Sequence, residues 1–155
     1  MKLLKSVIGM GMLLLAVGCS ETRSYHVKVE NHTSGAVTVW LTKESGPVED
    51  GWMSPEQLAM SNIMEDDKLP AKVIPSGKTL VSPGEVTGEF DPTHGRAIMR
   101  VYSGQPTLSE TLAIGRTSVS RLDLVLEQGE NHFIIDDKTG IIHAQRVAPT
   151  YQEPK

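Results

Sequence analysis

The sequence has 155 residues, in which 15 lysine and arginine residues stand against 19 aspartate and glutamate residues, so the net charge is −4 at pH 7. A chain of this length predicts a single domain with its own apolar core. The sequence has no cluster of basic residues, and proteins bind nucleic acid largely by neutralising its phosphates with lysine and arginine. We therefore exclude nucleic acid as a partner.

The first twenty residues have the composition of an export signal. Two lysines, Lys2 and Lys5, precede an apolar run over residues 6–18, and Cys19 follows this run directly. A helix needs about 20 apolar residues to cross the hydrocarbon core of a bilayer, and this run is shorter. The pattern predicts a cleaved signal peptide rather than a permanent transmembrane helix.

The residues around the expected cleavage point carry a family resemblance. Ala16-Val17-Gly18-Cys19 resembles the lipobox of bacterial lipoproteins, and the resemblance covers residues 1–20. It implies that a diacylglycerol is attached to the Cys19 sulfur, that residues 1–18 are removed, and that the new amino group is acylated. Two or three acyl chains hold a protein durably at a bilayer. By analogy with the sorting rule of such lipoproteins, Ser20 in place of aspartate favours the outer membrane over the inner membrane.

Cys19 is also the one cysteine of the sequence. A single thiol in an oxidising compartment has no partner for an internal disulfide, and lipid attachment accounts for its presence. Removal of residues 1–18 also removes Lys2 and Lys5, which leaves 15 − 2 = 13 basic residues against 19 acidic ones. The mature chain is therefore predicted to carry a net charge of −6.

The first predicted strands follow a short polar tether at residues 19–24. Residues 25–30 alternate apolar and polar side chains, and residues 36–42 do the same. A period of two residues is typical of strands with one buried face. Because turn-forming residues 31–35 separate the two segments, we predict a β-hairpin.

A helix is predicted after these strands. Ser54 is a preferred N-cap residue, Pro55 suits the first helical position, and Gln57 stands where a capping box requires it. Apolar residues three or four positions apart continue the pattern. We predict a short inserted helix over residues 55–65, with its apolar side chains on one stripe.

The remaining chain predicts short strands separated by turns. They cover residues 78–82, 85–90, 96–102, 109–114, 119–127, 131–135 and 141–147. The last three strands are expected to form a meander. Together the patterns predict a mainly β domain over residues 25–147, folded as an antiparallel two-sheet sandwich of the immunoglobulin-like kind or as a partly open barrel. The polar tail 148–155 is predicted to be disordered.

The sequence shows no pattern of catalytic residues. It contains no G-x-S-x-G nucleophile motif, and its five histidines are dispersed along the chain. Asp91 and His94 form the tightest acid–histidine pair and leave open a divergent metal-dependent enzyme, although this segment also has the composition of a turn. We predict a protein that is not an enzyme and that has no cofactor and no metal site.

The candidate contact residues for a ligand or partner are Trp40, Trp52, Met60 and Met64. Trp40 falls on the strand face opposite the apolar one, where it is either a stacking platform for a sugar or small ligand or is covered by residues 52–64. The two methionines belong to the predicted helix, and methionine side chains adapt readily to partner surfaces.

These patterns predict a membrane-anchored lipoprotein of the bacterial cell envelope that acts as a non-enzymatic binding or structural module. Acylated Cys19 would contact the lipid bilayer, and the folded domain would contact an envelope protein or a glycan. A carbohydrate-binding or small-ligand-binding protein is the alternative.

Overall fold

The computed structural model describes residues 22–46, 48–49, 51–61, 72–74, 80–81, 85–89 and 95–148. Over these residues the chain is mainly β, with nine strands and two helices. The predicted signal peptide, Cys19 and Met64 lie outside the described residues. So do Asp91, His94 and the predicted tail from residue 149 onward.

The strands are β1 (Thr22–Asn31), β2 (Val37–Lys43), β3 (Lys72–Ile74), β4 (Leu80–Val81), β5 (Glu85–Glu89), β6 (Ala97–Ser103), β7 (Arg121–Val125), β8 (Gly129–Lys138) and β9 (Ile141–Val147); the helices are α1 (Pro55–Ser61) and α2 (Leu108–Ala113). Strand β1 begins at Thr22, so residues 22–24, which the sequence assigned to the tether, belong to the strand. The predicted helix begins at Pro55 as expected, and its predicted residues 62–65 lie outside the described part.

The first sheet, sheet A, contains β1, β4, β5, β8 and β9. Strands β1 and β8 are parallel, with Tyr25 opposite Gly129 and Asn31 opposite Ile135. Strand β9 pairs antiparallel with β8, and both β4 and β5 pair antiparallel with β1. Sheet A is therefore mixed, and the prediction of purely antiparallel sheets is wrong.

The second sheet, sheet B, is antiparallel in the order β3, β2, β6, β7. Strands β1 and β2 lie in different sheets, so the predicted hairpin between them is wrong. The predicted C-terminal meander is also wrong, since β7 lies in sheet B while β8 and β9 form a hairpin in sheet A. In both cases the connection joins strands that belong to different sheets.

The direction of β1 defines the two ends of the sheets. We call the end where β1 begins the proximal end and the end where β1 finishes the distal end. Strand β7 pairs antiparallel with β6 and runs from the distal to the proximal end. Since β8 then starts at the proximal end, it runs in the same direction as β1, which explains the parallel pair.

Both sheets contribute to one apolar core. Its buried side chains include Tyr25, Val27, Val29, Phe133 and Ile135 from sheet A, and Val37, Val39, Ile74, Met99 and Val101 from sheet B. Trp52 enters the same core from the segment before α1, and its ring meets that of Tyr25 edge-on at a centroid distance of 5.5 Å. Neither sheet closes on itself over the described residues.

Helix α2 replaces the strand predicted at residues 109–114, so that prediction is wrong. Thr107 is the N-cap, and its hydroxyl accepts from the Glu110 backbone N–H at 3.3 Å. The Glu110 carboxylate in turn accepts from the Thr107 backbone N–H at 2.7 Å. This reciprocal capping box stabilises the first turn of a helix and cannot form in a strand.

The two helices lie on the outer face of sheet B. Trp40, Leu58 and Tyr102 form a buried cluster there, against which Met53, Leu108 and Ile114 pack. The Trp40 indole N–H donates to the Met53 carbonyl at 2.7 Å. The segment before and within α1 thus covers Trp40, which is one of the two placements expected from the sequence.

Candidate functional site

A cleft of about 190 Å³ opens at the distal end of the sheets. Three segments line it: residues 33–37 after β1, residues 103–104 at the end of β6, and the β8–β9 hairpin with Asp137, Gly140 and Ile142. Both sheets contribute to the walls. The cleft therefore depends on how the strand ends of sheet A and sheet B meet.

The loop after β1 is held from within by Asn31, whose side chain is fully buried. Its Oδ1 accepts from the backbone N–H and the hydroxyl of Thr33, at 3.0 and 2.8 Å. Its Nδ2 donates to the carbonyls of Gly35 and Ile74, at 2.9 and 3.2 Å. An asparagine has two donors and two acceptor positions, so this side chain uses its full capacity to fix the loop.

Ser34 connects this loop to the β8–β9 hairpin. Its backbone N–H and its hydroxyl both donate to Asp137 Oδ2, at 3.1 and 2.7 Å. These hydrogen bonds, the hydroxyl first, lower the pKa of Asp137 below its ordinary value of 3.8 because they favour the charged form. Asp137 is therefore a carboxylate at neutral pH.

The third wall is fixed by Gly104. Its backbone N–H donates to the Ala36 carbonyl at 2.7 Å, and its carbonyl accepts from the Thr38 hydroxyl at 2.8 Å. Gly104 has a φ of +75°, a left-handed conformation that glycine adopts without a steric penalty. The end of β6 is thus tied to the start of β2.

The Ser34–Asp137 pair is not arranged to activate the Ser34 hydroxyl as a nucleophile. The Ser34 hydroxyl donates to a carboxylate whose low pKa makes it a weak base, and a general base works best with a pKa near the operating pH. None of the described residues that line the cleft is a histidine. The arrangement presents a fixed negative charge in a small depression.

The sequence-predicted contact residues lie elsewhere. Trp40 and Trp52 are each only 1% exposed, so neither ring has a free face on which a sugar could stack. This burial corrects the interpretation of the two indoles as a ligand platform, since both belong to apolar clusters. Met60 is 83% exposed on α1, which fits a contact residue, and Met64 lies outside the described residues.

Two arginines beneath the helices form ion pairs with a structural role. Arg100 donates to both carboxylate oxygens of Glu56, at 2.9 and 2.8 Å, and Arg121 makes a two-point contact with Asp123 at 2.7 and 2.8 Å. Burial raises the pKa of Glu56, but hydrogen bonds from its own backbone N–H, from Ser54 and from Arg100 together lower it. The Arg100–Glu56 pair attaches α1 to the outer face of sheet B, whereas Arg121 and Asp123 both lie in β7.

Glu30 joins two histidines on the outer face of sheet A. Its Oε1 lies 2.8 Å from His132 Nε2, and its Oε2 lies 3.3 Å from His32 Nε2. The hydrogen bond with His132 is the main reason that the pKa of Glu30 is lowered. Within the described ranges, no three histidine, cysteine, aspartate or glutamate side chains are arranged to hold a metal ion.

Sequence reasoning missed the residues that shape the cleft. Ser34 and Asp137 are 103 residues apart, and each lies in a run whose composition indicates only a turn. The available signals were the turn residues around Asn31 and around Asp137. Neither run shows that the two turns meet.

Comparison of the chain with protein-family models, with curated proteins and with solved structures found no match. Of the helices described here, none has both the length and the apolar character required to span a membrane.

Proposed function

We propose that the protein is a lipid-anchored, non-enzymatic binding module of the bacterial cell envelope. Its two sheets form an immunoglobulin-like sandwich, and its distal cleft faces away from the membrane. The direction of β1 supports this arrangement, because β1 starts at the proximal end and the cleft lies at the opposite end.

Chain length limits how far the domain lies from the lipid. Strand β1 begins at Thr22, three residues after Cys19. Three residues reach at most about 11 Å, since an extended chain spans no more than about 3.6 Å per residue. A lipidated Cys19 would therefore hold the proximal end close to the bilayer surface.

Strand β1 also sets the height of the cleft above the membrane. It has ten residues, and a strand rises about 3.3 Å per residue, so β1 is about 30 Å long. With β1 upright on the bilayer, a cleft at its far end would lie beyond the lipid headgroups and within reach of other envelope proteins. This position supports a binding role directed away from the anchor.

A Cys19→Ser variant tests the anchor. We expect the variant to remain unprocessed and to take up no labelled palmitate, because the lipid has no sulfur to join. A Ser20→Ala variant is the matched control, since it changes the neighbouring residue and keeps the cysteine. Normal processing and labelling of the serine variant would contradict the anchor.

A photo-crosslinking residue placed at Gly35 tests the binding role. Gly35 lines the cleft, and a Cβ added there meets no atom within 4 Å, so a side chain can start there without a steric clash. Gly115 is the matched control, because it is equally open and does not line the cleft. We expect a discrete crosslinked partner in intact cells from position 35 and none from position 115. Equal products from both positions, or none from either, would contradict the proposal.

A further inference from the structure

The size of the distal cleft restricts what can enter it. Pockets for small-molecule ligands typically have volumes of about 300 to 1,000 Å³. The distal cleft, at about 190 Å³, is smaller than this range. It matches a single side chain, and protein interfaces commonly seat one anchoring side chain in such a pocket.

The lining restricts the chemistry of that side chain. Ala36, Val37 and Ile142 supply apolar surface, and Asp137 is the one charged residue among the described lining residues. Over the described part of the chain, no lysine, arginine or histidine pairs with Asp137, and Lys138 instead lies 3.4 Å from Asp136. The cleft therefore presents an unneutralised carboxylate beside apolar walls.

The hydrogen bonds of Asp137 favour lysine over arginine as the side chain that binds in the cleft. Both contacts from Ser34 go to Oδ2, and Oδ1 accepts no hydrogen bond from another described residue. An arginine fork is best matched by two free carboxylate oxygens, whereas a lysine ammonium is a compact charge that one oxygen can receive. The four-carbon stem of lysine also packs well along apolar surface.

We infer that the distal cleft binds a lysine side chain presented by a partner protein, an inference that rests on the proposed binding function. The lysine stem lies against Ala36, Val37 and Ile142, and its ammonium donates to Asp137 Oδ1. The net charge of −6 expected for the mature chain attracts basic partners and repels acidic ones.

A pair of peptides tests the inference on the mature chain purified from membranes in detergent. The lysine peptide is acetyl-Gly-Lys-Gly-amide, and in its control norleucine replaces lysine, which removes the ammonium and keeps the stem. We expect the lysine peptide to shift the NMR amide signals of Ser34, Gly35, Gly104 and Gly140 saturably, with a dissociation constant on the order of 1 mM. The norleucine peptide should leave these signals in place.

An Asp137→Asn variant removes the charge and keeps an oxygen that can accept from Ser34. We expect the affinity of this variant for the lysine peptide to be lower by about tenfold or more, as is usual for losing a charged hydrogen bond. The inference is overturned if the lysine peptide causes no saturable shift, if norleucine binds equally well, or if the asparagine variant binds lysine as tightly. If the peptide titration fails but position 35 gives a specific crosslink, the lysine inference is wrong and the proposed binding function is retained. If both experiments fail, the proposed binding function is wrong as well.

Discussion

Two buried asparagines organise the connections that cross between the sheets. Asn31 holds the loop from β1 to β2, and Asn131 holds the turn from β7 to β8. The Asn131 Oδ1 accepts from the Glu127 backbone N–H and from Arg146, both at 2.9 Å. Its Nδ2 donates to the carbonyls of Glu127 and Gly129, at 2.7 and 2.9 Å. Each asparagine thus supplies the hydrogen bonds that the backbone loses where it leaves a sheet.

Asn31→Ala should destabilise the fold and open the cleft. The change removes the Asn31 partner of the Thr33 backbone N–H and of the Ile74 carbonyl, while the Gly35 carbonyl keeps its hydrogen bond from the Thr33 hydroxyl. An unsatisfied buried group costs about 1 to 3 kcal/mol. We expect the free energy of unfolding to fall by about 3 kcal/mol, measured by chemical denaturation.

Thr33→Val is the matched control for the asparagine variant. It removes only the hydroxyl that bonds Asn31 and the Gly35 carbonyl, so a loss of about 1 kcal/mol is expected. If Asn31→Ala costs no more than Thr33→Val, the asparagine does not organise the loop.

At the scale of single elements, capping boxes in the sequence mark the starts of both helices, because this signal depends only on residues three positions apart. Ser54 and Gln57 form the predicted capping box, with the Ser54 backbone N–H donating to Gln57 Oε1 at 2.8 Å and the Gln57 N–H donating to Ser54 Oγ at 3.2 Å. The same signal, Thr107 followed by Glu110, starts α2. Giving that capping box priority over the expected alternation of strands would have identified the second helix.

Ser54→Ala should loosen α1 over Trp40. Removing an N-cap hydroxyl costs about 1 kcal/mol, and α1 has only seven residues on which to distribute the loss. We expect a lower melting temperature and a red shift in the tryptophan emission as water reaches Trp40. Ser61→Ala, at the other end of the same helix, removes a hydroxyl that bonds the Leu58 carbonyl and is expected to have a smaller effect. Equal effects would show that the cap does not hold the helix.

Strand pairing was less predictable than the strands themselves. The β8–β9 hairpin follows from its two-residue turn, in which Thr139 and Gly140 both have positive φ, as type I′ turns require. The pairing of β1 with β8 has no turn to indicate it, because most of the chain lies between them. Ser34 and Asp137 meet only through that arrangement, so the cleft could not be predicted from local patterns.

For the whole molecule, four carboxyl groups connect stability to pH. The pKa values of Glu30, Glu56, Glu110 and Asp137 are all lowered by hydrogen bonds to their charged forms. The unfolded chain therefore takes up protons at a higher pH than the folded one. Their contribution to stability is complete above the ordinary pKa values of 4.5 for glutamate and 3.8 for aspartate, and it is lost as the pH falls through the folded values.

These four groups should consequently have little effect on the melting temperature between pH 5 and 7. Below about pH 4.5 their protonation should lower it steadily. Thermal denaturation followed by circular dichroism measures this profile. A Glu110→Gln variant removes one of the four groups and should show a shallower decline on acidification. A melting temperature that rises as the pH falls below 4.5 would contradict the assignment.

The parallel pair also determines when the domain can fold. Tyr25 lies opposite Gly129, so β1 cannot pair with β8 until 104 more residues have been synthesised. Closing so long a loop is entropically costly, and domains that depend on distant pairings fold slowly. For the exported lipoprotein proposed above, this delay would be an advantage, because sheet A stays incomplete until β8 has followed β1 across the membrane.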